Sequence, residues 1–306
     1  MNVLRRFLNW QSTQKHQKII ISFCNLTQIS DSGLLLFDLC CSKGRWLNLG
    51  LPTQITSCTG ICQIDTDILN LVEFRDEVYI VVINSQDFRP KYYQRLFEIR
   101  NPHSVCVARD QVLIVSTGTD AVVAYKRVSQ QLAFRGSMWT AGQSNKDTHH
   151  INSITYVDDE NIWITAFGPK KTELWQSASN GYICNIKNGA LLKTGINQPH
   201  SLRTLGSKVY YCESALQELA ALDSGTICRA SGYTRGLCFP DQNRAIFGTS
   251  VGRKKSKSTG IMRNPADPGE PFGTCSITEV DFKTGRTRTT DMSRYGREIY
   301  DIHYVV

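Results

Sequence analysis

Two Pro-His-Ser tripeptides, Pro102-His103-Ser104 and Pro199-His200-Ser201, set imidazoles in matching frames, each followed by an apolar run, a polar turn and a second apolar run. An imidazole can move a proton near neutral pH, ligate a metal, or donate a hydrogen bond to an anion. With the turns at Asp76, Asp110, Asp158, Gly206 and Asp241 placed in register, the residues six or seven positions upstream are Asn70, His103, Asn152, His200 and Arg235. Glu298 and Asp301, near the C-terminus, add carboxylates. His103 and His200 are the candidate acid/base groups, with Glu298 orienting one imidazole. Asn70, Asn152, Arg235, Arg253 and His150 are candidate ligand-binding residues, because arginine forks grip carboxylate or phosphate bidentately. A metal is the competing use of the same positions. His103, His200 and Asn152 with one carboxylate would suit a single divalent ion such as Zn²⁺, Fe²⁺ or Mn²⁺ better than Ca²⁺. Each residue also has a structural reading: an imidazole bonded to a neighbouring backbone carbonyl, or Arg203 paired with an acid between repeats.

The elements that must position these residues are strands. "EVYIVVIN" (77–84), "QVLIVST" (111–117), "NIWITAF" (161–167), "KVYYCES" (208–214) and "RAIFGTS" (244–250) are short, rich in β-branched and aromatic residues, and follow polar turns. Only "QDFRPKYYQRLF" (86–97) hints at a helical turn, and Pro90 weakens it. The repeat spacing of about 40 residues falls among β-propeller blade lengths. The expected architecture is all-β: one six-bladed β-propeller over 18–306, preceded by a loosely ordered segment, 1–17. The C-terminal strand completes the N-terminal blade; a seventh blade follows if 19–28 forms an inner strand of its own. Pro-His-Ser then begins an inner strand, where proline is tolerated, and the next residue sits at the channel mouth.

Composition narrows the function. With 41% hydrophobic and 20% charged residues the chain is ordinary for a globular protein, no apolar run reaches a membrane span, and "MNVLRRFLNWQSTQKHQK" lacks the apolar core of a secretory signal. Eleven scattered cysteines, an odd number, argue for reduced thiols and a cytoplasmic location. Cys58 and Cys62 read as buried thiols, not nucleophiles. The net charge of +8 has its densest cluster in "GRKKSK" (252–257), without a nucleic-acid-binding motif beside it, so nucleic acid is not the expected partner. The stretch 251–274 reads as a long loop or lid over one face. Phosphate-loop, dinucleotide, zincin and nucleophile-elbow motifs are missing from the sequence.

The second half of the chain resembles an uncharacterised family of intracellular propellers, a domain of unknown function. The matching stretches are "DTHHINSITYVDDENIWITAFG" (147–168), with Asp147, His150 and Asn152 at family positions, "PHSLR" (199–203), "SGYTRGLCF" (231–239), "FGTSVGR" (247–253), "CSITEVDFKTG" (275–285) and "EIYDI" (298–302). Leu202 stands where the family has Pro, and Pro102-His103-Ser104 stands where it has Val-His-Glu. The resemblance implies a propeller and adds no reaction. The expected function is binding of a small polar or anionic molecule in the central funnel, with lyase, isomerase or hydrolase chemistry. The alternative is a non-catalytic scaffold for a ligand or protein partner.

Overall fold

In the computed structural model, residues 17–26, 32–51, 54–142, 145–253, 261–262 and 273–305 are described. Six four-stranded antiparallel sheets form a six-bladed propeller. Blade 1 pairs the C-terminal strand Ile299–Val305 with Lys18–Phe23, followed outward by Leu34–Asp38 and Lys43–Trp46. The inner strands of blades 2 to 6 are Ser57–Ile64, Pro102–Ala108, Ile151–Tyr156, Pro199–Leu205 and Tyr233–Asp241. The chain therefore closes on itself as expected, and Lys18–Phe23 is a second strand, which removes the seventh blade. Of the segment 1–17, only Gln17 is described; its side chain accepts a hydrogen bond from Arg244. Most of 251–274, the expected lid, also lies outside the described residues.

Both faces of each blade are buried, so the strands read as continuous apolar runs instead of alternating ones. Ile19 and Ile21 face blade 6, while Ile20 faces blade 2. Leu69 and Leu71 face blade 3; Ile68 and Val72 face blade 1. Six apolar clusters result, one at each junction between successive blades. The Pro90 segment is the outer strand Pro90–Arg95, not a helical turn.

One register assignment fails. In blades 3 to 6 the apolar run after the marker turn is the second strand, but in blade 2 "EVYIVVIN" is the third, Glu77–Asn84. The corresponding turn is the one before Asp67–Phe74. Two similar apolar hairpins follow each other in this blade, and only strand pairing separates the later turn from the earlier. Asn70 consequently lies on a second strand, where its amide donates to the carbonyls of Thr59 (3.3 Å) and Gly60 (3.2 Å). Thr59 holds the inner position assigned to Asn70.

Candidate active site

The strand ladder is interrupted at the same level of all six blades, with shifts between Cys58 and Ile61, Pro102 and Val105, Ile151 and Ser153, His200 and Arg203, Arg235 and Leu237, and at Phe23 opposite Ile299. Such bulges re-aim side chains. The same interruptions carry a fastening ring. Ser104 Oγ accepts the N–H of Ile154 (3.3 Å), Ser153 Oγ that of Leu202 (3.1 Å), Ser201 Oγ that of Gly236 (2.8 Å), and Asp301 Oδ2 that of Ile61 (3.0 Å). At the other two junctions glycine lets backbones meet: a Cβ on Gly60 would lie 2.8 Å from Val105 N, and one on Gly236 2.9 Å from Ile302 N. The serine of Pro-His-Ser thus joins neighbouring blades, and this is why the tripeptide recurs.

The fastening ring presents Thr59, His103, Asn152, His200, Arg235 and Tyr300, one per blade, all more than nine-tenths buried. Each carries a polar atom without a hydrogen-bond partner among the described residues: Thr59 Oγ1, His103 Nδ1, Asn152 Oδ1, His200 Nε2, Arg235 Nε and the Tyr300 hydroxyl. Buried polar atoms are nearly always paired, so six orphans at one level are a binding signal. Thr59, His103, Arg235 and Tyr300 line a cavity of about 580 Å³, together with His150, Asp147, Arg253, Phe167 and Trp175. Asn152 and His200 do not line it. Asn152 Nδ2 donates to His150 O (2.9 Å); His200 Nδ1 meets Ser214 Oγ (2.7 Å) and Gln198 O (3.1 Å).

The surroundings of His103 and His200 disfavour their charged forms. Burial, with His150 and Arg235 nearby, holds His103 well below the usual imidazole range; burial and Arg235 do the same to His200. His150 has a partner that the others lack. Its Nδ1 lies 3.0 Å from Asp147 Oδ2, while its ring sits against Phe167 (4.7 Å between ring centres) and Trp175 (4.6 Å) and edge-on to His103 at 5.1 Å. Its left-handed backbone (φ 53°) is held by Asp120, whose carboxylate accepts the N–H groups of Thr148 (2.5 Å), His149 (2.7 Å) and Ile151 (3.4 Å). A carboxylate on Nδ1 fixes the tautomer and leaves Nε2 for chemistry.

Arg235 lies over Tyr233 (4.9 Å) and Tyr300 (5.3 Å), and no carboxylate bonds it among the described residues. Glu298 does not orient an imidazole. It pairs with Arg253 and accepts from Asn25 Nδ2 (2.8 Å); burial opposes its ionisation, but Arg253 outweighs this and lowers its pKa. Arg253 lines the cavity already neutralised. Arg203 pairs with Asp301 at 3.0 Å, between blades 5 and 1, as its structural reading anticipated. These pairings occupy Glu298 and Asp301, and no group of three His, Cys, Asp or Glu that could hold a metal occurs among the described residues. The donor set around Arg235 fits an anion. Sequence reasoning missed Thr59, Tyr300 and Asp120; the Ser-like fastener position, once recognised, would have found the first two.

The chain belongs to the family described as Domain of unknown function (DUF4915), whose profile matches residues 89–306. No curated protein matches it. Its fold is similar to a chain of a nidogen/laminin complex (TM-score 0.63, 10% identity, 95% of this chain and 98% of that one). It is also similar to a protein from Lactobacillus plantarum (0.57, 11%, 95% and 100%) and to a periplasmic gluconolactonase from Pseudomonas aeruginosa (0.55, 9%, 95% and 99%). At these identities the likeness is one of fold. No helix among the described residues is long and apolar enough to cross a membrane.

Proposed function

We propose that this member of the DUF4915 family binds a small anionic, polyhydroxylated molecule in the upper funnel and acts on it by proton transfer. The observation that carries this reading is a buried guanidinium with no carboxylate partner among the described residues, set beside the orphaned polar atoms of Thr59, His103 and Tyr300 in one cavity. Arg235 binds the anionic group through its fork. His103, kept neutral by burial, exchanges a hydrogen bond with a ligand oxygen, and Tyr300 donates another. His150, oriented by Asp147, takes a proton from the ligand or from a water and returns it. This reassigns the acid/base role: His200, outside the cavity, supports Phe167 (5.2 Å) and Tyr233 (5.4 Å) as a positioning residue. Eleven free cysteines, Cys40 and Cys41 exposed, favour a reducing compartment such as the cytoplasm.

The test is a thermal-shift panel of sugar acids, their phosphates and their lactones at pH 7.5, followed by NMR of each hit in D₂O. At least one anion should raise the melting temperature of wild type but not of Arg235→Gln, and bound hits should exchange a carbon-bound proton or be converted. His150→Gln should keep binding and lose turnover. No response to any anion, or an equal response from Arg235→Gln, overturns the reading; binding without conversion in wild type reduces the protein to a binding module.

A further inference from the structure

Cys24, just past the strand Lys18–Phe23, lines the same funnel. Its sulfur lies 3.7 Å from Arg235 Nη1 and 3.4 Å from Asn25 Nδ2, both donors, and 3.6 Å from Glu298 Oε2, an acceptor for the thiol proton. A guanidinium and an amide N–H on the sulfur favour the thiolate. Glu298 opposes it by charge, but that carboxylate is already neutralised by Arg253. The adjoining cavity wall holds the Tyr300 hydroxyl and Arg235 Nε, both buried and unpartnered among the described residues, so the space beside the sulfur is built to receive a polar group. Elsewhere burial dominates: it pushes the Cys58 and Cys106 thiols up to about 12.

We propose that Cys24 is a nucleophilic thiol in the wall of the funnel, placed to bond covalently to a small anionic electrophile whose charge rests on Arg235. The proton leaves sulfur for solvent. The thiolate then attacks an electrophilic carbon, forming a carbon–sulfur bond as the bond to the leaving group breaks and that group departs with the electron pair. The anionic character of the partner rests on the funnel reading above, while the reactivity of the thiol does not.

Timed alkylation with iodoacetate and with iodoacetamide, mapped by peptide mass spectrometry, tests this in the intact protein. The exposed Cys40 and Cys41 serve as internal references. At pH 6.5 Cys24 should react with iodoacetate about tenfold faster than the references, the gain expected of a thiol held beside a guanidinium. It should also prefer iodoacetate over iodoacetamide relative to Cys40 and Cys41, and Arg235→Gln should remove both effects. Reaction no faster than the references, or a wild-type rate that rises only around the ordinary thiol pKa, overturns the proposal even if Arg235→Gln fails to fold. If wild type responds to no anion in the panel but Cys24 is fast, the funnel reading fails and the thiol stands.

Discussion

The two mouths of the channel are built from the same inner strands, yet one is spent and the other is poised. The upper funnel holds Arg235 with no carboxylate bonded to it among the described residues. The lower mouth, about 450 Å³, is lined by Cys62, Cys106, Thr155, Arg203, Cys238 and His303, each two residues beyond the fastening ring. There the cation is already matched: Arg203, half-buried, bonds the buried Asp301, which also accepts the N–H groups of Ile61 and Ile302 (2.9 Å). Burial pushes the Asp301 carboxyl up in spite of these donors, and pushes the Cys106 thiol up to about 12. A guanidinium that holds its counter-charge within the protein serves stability; one that lacks it is available to a ligand. Residue type does not separate the two arginines, but their partners do.

Substitutions at the two arginines should separate these roles. Arg203→Ala leaves the buried Asp301 without its counter-charge, which typically costs about 3–5 kcal/mol; chemical denaturation should show that loss while anion binding per folded molecule is retained. Arg235→Gln should do the reverse, weakening the anion by about 30-fold, or roughly 2 kcal/mol for a charged hydrogen-bonded contact, with a much smaller change in the denaturation midpoint. If both variants lose stability equally and neither changes binding, the contrast between the mouths is wrong.

Acid should also distinguish the two ends. His103 and His200 above, and His303 below at about 4, all sit under the ordinary imidazole value of 6.5 in the folded protein. The unfolded chain therefore binds more protons below pH 6.5, so the stability these residues contribute is present above that pH and is lost as pH falls toward their folded values. Each contributes a slope of at most about 1.4 kcal/mol per pH unit; Asp301, with its raised pKa, works in the opposite direction. Melting temperatures measured from pH 7 to 5 should fall, and His303→Gln should flatten the slope without touching anion binding. A flat profile would show that these imidazoles are not held neutral.

The smallest effect should come from the ring itself. Ser201→Ala strips the acceptor from the N–H of Gly236 and should cost about 1 kcal/mol, read as a reduced denaturation midpoint with ligand affinity within about twofold of wild type. A large loss of affinity would place Ser201 in the site instead of in the frame.

Much of this was legible in the residues. Short β-branched runs after polar turns, repeated about every 40 residues, announced the propeller, and the isolated C-terminal strand announced its closure by the N-terminal blade, because a ring leaves no other partner for it. The repeated Pro-His-Ser located the channel mouth. What failed was blade 2, where two successive apolar hairpins are alike and only pairing tells Asp67–Phe74 from Glu77–Asn84.

By itself the sequence determined the periodicity, and with it the level at which His103, His200 and Arg235 stand. Local runs of strand and turn carry that information because a blade is a local structure. The tertiary structure alone decided which side chains are spent. Glu298 meets Arg253 at a separation of 45 residues, Asp301 meets Arg203 at 98, and Cys24 meets Arg235 at 211. Charges buried in a low dielectric are governed by such neighbours, and ring closure, not chain order, chooses them.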